Sequence, residues 1–120
     1  MRLNEIRFSD QRPIDGYGPG GFRVGGEWHE GSLLLSPQGV VPIVMPLTAE
    51  ALPPVLALAP EVDVVLVGQG ADIAPLPARM RILFEEAGIG VEIMATPPAC
   101  RTYNVLLAED RRVAAVLAAL

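Results

Sequence analysis

The chain has 120 residues, 51% of them hydrophobic and 19% charged, which suits one domain with a true core over residues 1–120 and leaves too little chain for two. Its nine cationic residues are all arginine and are scattered, and against fourteen acids they leave a net charge of −5, which disfavours binding to nucleic-acid phosphates. Absence of lysine excludes Schiff-base and P-loop chemistry, and the single cysteine, Cys100, excludes an internal disulfide or a cysteine-cluster metal site.

The amino-terminal segment Met1–Ile6 has neither the apolar run of a signal peptide nor the acid-poor composition of a transit peptide. The longest apolar runs, Ala51–Pro60 and Val113–Leu120, fall well short of the roughly 20 residues that span a bilayer. A soluble cytoplasmic protein is expected. Leu3–Phe8 reads as a strand, and Ser9–Gly21, rich in glycine, proline and aspartate, as a loop. Phe22–Val24 and Trp28–Leu35 flank Gly25-Gly26, a hairpin signal because glycine reaches the positive φ of a tight turn. Val40–Val44 adds a β-branched run, with Pro42 marking an edge or bulge. The amino-terminal third therefore predicts an antiparallel meander.

Beyond it, Thr48 is placed to cap a helix that begins at Ala49 and stops at Pro60. Asp63–Val67, ending at Gly68, predicts a strand buried on both faces. Leu76–Ala87 predicts a helix, with Met80, Leu83, Phe84 and Ala87 on one stripe and Gly88 as its stop. Val91–Met94 is a short strand, so Val62–Met94 forms a βαβ unit with parallel strands. A helix capped by Thr96, with Pro97 in its first turn, runs to Ala108. After a break at Glu109-Asp110, Arg111–Leu120 predicts a second helix striped by Val113, Val116, Leu117 and Leu120. The expected fold is α/β: a meander and a βαβ unit in one mixed sheet, helices packed on it, and two carboxyl-terminal helices.

No catalytic motif and no cofactor signature emerges. Gly68-Gln69-Gly70 follows a buried strand, but Ile73 stands where a dinucleotide-binding loop would have its third glycine. The loops after Gly68 and Ala95 both leave carboxyl ends of parallel strands, the edge where open α/β sheets place ligands. A ligand or partner crevice is thus expected among Gly68, Gln69, Gly70, Thr96, Cys100, Tyr103 and Asn104, with a helix amino terminus suited to an anion. The alternative is that Thr96–Leu107 simply packs the last helices on the sheet, with Asn104 bonded to a neighbouring loop backbone. Cys100 beside Arg101 has the setting of a stabilised thiolate, but His29, the only histidine, is far away in sequence, and a lone cysteine is more often a small buried hydrophobe. His29-Glu30 lacks metal-ligand spacing because strand neighbours point to opposite faces, and Glu85-Glu86 belongs to a solvated helix face.

Five blocks carry a resemblance: Ile14-Asp15-Gly16-Tyr17-Gly18 with Gly21-Phe22-Arg23-Val24, Gly31-Ser32-Leu33-Leu34-Leu35, Gly68-Gln69-Gly70, and the continuous run from Cys100 to Arg112. Together they resemble the bacterial family of uncharacterised function related to the mitochondrial respiratory complex I assembly factor 3. The resemblance implies a mixed sheet between helices and a non-enzymatic protein-binding role with protein partners, in assembly of complex I or another membrane complex. It transfers no catalytic residue. Gln69 stands in place of a common threonine, and Asp110 in place of a glycine before Arg111, a mild change because aspartate tolerates the left-handed region. The alternative function is a small-ligand binder or enzyme using the crevice.

Overall fold

A computed structural model describes residues 11–120, so the strand expected over Leu3–Phe8 lies outside the described residues. In chain order the elements are β1 (Ile14–Gly18), β2 (Gly21–Val24), β3 (Glu27–Glu30), β4 (Leu33–Ser36), β5 (Gly39–Pro42), a 3-10 turn (Ala49–Ala51), α1 (Pro53–Leu56), β6 (Val64–Gly68), α2 (Ala78–Ala87), β7 (Gly90–Met94), α3 (Thr96–Ala108) and β8 (Val113–Leu117). They form an antiparallel three-stranded sheet, β1-β2-β3, and a mixed five-stranded sheet in the order β5-β4-β8-β6-β7.

Alternation of side chains along the strands of the larger sheet supplies both faces of the core. Leu34, Val65, Val67, Ala114 and Val116 point to one face, where Leu52, Val55, Met80 and Phe84 cover them. Leu33, Leu35, Leu66, Val113, Ala115 and Leu117 point to the other, against Ala99, Cys100 and Tyr103 of α3 and against Ile14, Phe22 and Val24 of the small sheet. The meander and the βαβ unit are present: β4 pairs antiparallel with β5, and β6 and β7 pair parallel around α2. Gly25 and Gly26, with φ of 56° and 87°, turn the β2–β3 hairpin. Gly88, at φ 76°, stops α2, its N–H and that of Ile89 donating to Glu85 O and Phe84 O.

Several expectations are corrected. The segment read as a loop from Ser9 contains β1, whose Ile14 and Tyr17 pair with Val24 and Phe22 despite two glycines of low strand propensity. The second hairpin arm is not continuous: Gly31, at φ 84°, turns the chain between β3 and β4 and divides the expected single sheet into two. Thr48 makes no capping bond, and its helix shrinks to the 3-10 turn and the single turn of α1, because Pro53 and Pro54 cannot donate backbone hydrogen bonds. The second carboxyl-terminal helix is absent. Val113–Leu117 is instead β8, antiparallel to β4 and parallel to β6, with all five residues buried. Its helix-like stripe and alanine content are overridden by the slot between β4 and β6, which buries both faces where a helix would bury one. Asp110, at φ 59°, makes the turn into it, and it is the one non-glycine residue with positive φ among those described.

Phe84 is fully buried while Ile82, on the other side of α2, is 50% exposed. Phe84→Ala should cost about 3–5 kcal/mol through the lost contacts and the cavity left behind. Ile82→Ala should change the urea midpoint little, and equal losses at both positions would contradict the packing of α2.

Candidate functional site

The carboxyl end of β6 is shaped by a close approach. A Cβ at Gly68 would sit 3.0 Å from Ala99 Cβ, 3.0 Å from Leu117 Cδ2 and 3.1 Å from the backbone Cα of Thr96. Glycine at this position therefore lets the first turns of α3 descend onto β6 and β8. Thr96 then locks the junction. Its N–H donates to Gly70 O at 2.8 Å, its Oγ1 accepts from Gly70 N–H at 2.8 Å, and the same hydroxyl donates to Ala118 O at 2.8 Å. Gln69 N–H and Ala118 N–H are satisfied by Met94 O and Gly68 O. Thr96 is fully buried and does not cap α3; the cap position belongs to Ala95. The hydroxyl is used on loop and strand-exit backbone groups that would otherwise be buried without partners.

On the α1–α2 face of the sheet, this edge opens into a groove of about 650 Å3. Its walls are mostly apolar, with Leu47, Val67, Leu76 and Met80 among them, and Gln69 and Gly70 line it together with Asp72 and Ser32. Gln69 also shapes the rim, since its Oε1 accepts from Ala74 N–H at 2.7 Å and closes the loop between them. Asp72 is, among the described residues, the only titratable side chain on the walls. Among the described residues, no group of three or more His, Cys, Asp or Glu is placed to hold a metal.

Of the seven residues picked out by sequence, Gly68, Gln69, Gly70 and Thr96 meet at this junction, and Gln69 and Gly70 line the groove. Cys100 and Tyr103 face the opposite side of the sheet, in the core beneath the small sheet. Cys100 is 3% exposed, and burial pushes its thiol from an ordinary pKa of 9.0 to about 11, partly opposed by the Arg101 cation. Burial likewise pushes Tyr103 up to about 12, opposed by a hydrogen bond from Gln11 Nε2 to its hydroxyl at 2.8 Å. Asn104 clamps one residue of β1: its Oδ1 accepts from Ile14 N–H and its Nδ2 donates to Ile14 O, both at 2.8 Å. The clamp ties the start of β1 to α3 beside the irregularity between Ile14 and Gly16.

Sequence reasoning missed Gln11, which joins Tyr103 to Val113 O, and Met45 and Leu47, which form one wall of the groove. No local motif marks either. The wall is visible only once the chain after β5 folds back over the α1–α2 face, and Met80 is indistinguishable in sequence from an ordinary core position.

The family model described as "Protein of unknown function (DUF498/DUF598)" matches residues 14–118. The chain is similar to an uncharacterised protein from Rhodobacter capsulatus, with 46% identity across 98% of this chain and 92% of that relative. It is similar to NADH dehydrogenase (ubiquinone) 1 alpha subcomplex assembly factor 3 from Rattus norvegicus, with 34% identity across 98% of this chain. The chain spans 65% of the length of that assembly factor. A crystal structure described as an outer membrane protein from Bartonella henselae superposes with a TM-score of 0.87 at 43% identity, covering 91% of this chain and 95% of that one.

Because native Cys100 keeps its proton to about pH 11 while the unfolded thiol begins to lose it near 9.0, stability should fall as pH rises through that window. Urea titrations should show the fall, Cys100→Ala should lessen it, and a thiol reagent should label the native chain at pH 8 only slowly. Asn104→Leu should cost about 1–3 kcal/mol by stranding both polar groups of Ile14. Unchanged thermal stability in that variant would show that the clamp does not hold the small sheet.

Proposed function

The chain belongs to the DUF498/DUF598 family of proteins of unknown function, and we propose that it is a non-catalytic, protein-binding factor of the cytoplasm that assists assembly of a respiratory NADH dehydrogenase or another membrane complex. The observation that carries this reading is 34% identity, across 98% of the chain, to an assembly factor named for NADH dehydrogenase. No helix among the described residues is long and apolar enough to cross a membrane, so the proposed role is that of an accessory to a membrane complex.

The groove supports recognition over catalysis. Among the described residues its walls carry one carboxylate, Asp72, on a mostly apolar lining, with no acid–base pair and no activated nucleophile. Val44, which precedes the lining residue Met45, is 77% exposed, and Ile73, between the lining residues Asp72 and Ala74, is 62% exposed. Two such side chains beside one apolar depression suit a surface that a partner covers. The volume of about 650 Å3 also falls within the small-ligand range, which keeps a ligand-binding reading in view.

Affinity purification of the full chain from its native cells should recover subunits or assembly intermediates of NADH dehydrogenase. Val44→Asp and Ile73→Asp lie on exposed positions and should abolish recovery while leaving the thermal melt within a few degrees of the parent. A deletion strain that assembles NADH dehydrogenase normally, together with recovery of no membrane-complex component, would overturn the proposal.

A further inference from the structure

A second surface, separate from the groove's lining, lies on the solvent face of the small sheet. The registers Gly16–Arg23–Trp28 and Gly18–Gly21–Glu30 put these six residues on one face, while Phe22 and Val24 enter the core from the other. Half of that face is glycine, so its floor is bare backbone. The indole of Trp28 lies on this floor: a Cβ at Gly21 would stand 2.7 Å from its Cζ2 and against His29 O, and one at Gly18 would stand 3.7 Å from its Cη2. The indole N–H donates to Glu30 Oε2 at 2.6 Å, which fixes the ring at its edge as well as its underside.

Trp28 nevertheless remains 41% exposed. Covering Gly21 accounts for one face of the ring and leaves the other to water. The cation nearest in register, Arg23, has its guanidinium engaged at the hairpin tip, where Nη1 donates to Gly26 O at 3.3 Å. The face of an indole carries negative charge density, and here a carboxylate is anchored at its rim. Residues 14–30 add to this field, with Asp15, Glu27 and Glu30 against the single Arg23 in a chain of net charge −5. We infer that this platform docks a basic side chain, arginine or lysine, presented by a partner protein. Ring and carboxylate are held before the partner arrives, so little ordering remains to oppose binding.

Trp28 is the only tryptophan in the chain, so intrinsic emission reports on this site alone. The full chain is titrated at low ionic strength with blocked tetra-arginine, tetra-glutamine and tetra-glutamate peptides. The arginine peptide should change the emission saturably and the other two should not. Glu30→Gln should weaken the arginine response about five-fold, the effect of one exposed charge contact worth ~1 kcal/mol. Glu85→Gln, removing a distant exposed carboxylate on α2, should leave it unaltered. An emission unmoved by the arginine peptide, an equal response to the glutamine peptide, or equal weakening by the two carboxylate variants would each overturn the inference.

Discussion

Everything in this domain depends on how β8 is seated. It is the middle strand of the larger sheet, antiparallel to β4 on one side and parallel to β6 on the other, and it joins a meander to a βαβ unit that otherwise have no strand in common. Its sequence, Val-Ala-Ala-Val-Leu, suits both neighbours. Val113, Ala115 and Leu117 face α3 and the small sheet, and Ala114 and Val116 face the α1–α2 side, so each layer of the core is built partly on this strand. The alanines at its centre leave room for the bulkier side chains brought by β4, β6 and the helices.

That arrangement explains which parts of the fold were legible in the sequence. The central strand ending at Gly68, helix α2 with its glycine stop and the Gly25-Gly26 hairpin each have local physics that agrees with the tertiary outcome. Residues 113–117 do not. Alanine favours helix, the stripe has helical spacing, and only a vacancy between two strands distant in sequence turns the segment into β8. The division into two sheets was hidden for a related reason, because one glycine turn at Gly31 redirects an apolar run that reads as continuous.

The site was legible in part. The glycine spacing and Thr96 pointed to the carboxyl edge of β6, and Gln69 and Gly70 do open onto a groove there. The crevice expected to include Cys100, Tyr103 and Asn104 depends on which side of the sheet α3 covers, and no local signal in the sequence gives that. Once α3 lies against the small sheet, Asn104 becomes a structural clamp and Cys100 a core side chain. The threonine expected to cap the helix serves three backbone groups of its neighbours instead.

The position of β8 bears on how the chain comes to life on the ribosome. Translation delivers β4 and β6 long before residues 113–117 exist, and Leu33–Leu35 can pair with Leu117–Ala115 only across most of the sequence. Until then two strands built for burial stand without the neighbour between them, exposing open edges and apolar faces that invite wrong pairing. The larger sheet therefore closes only after residues 113–117 have been made, and until then the two halves of its core stand open to solvent.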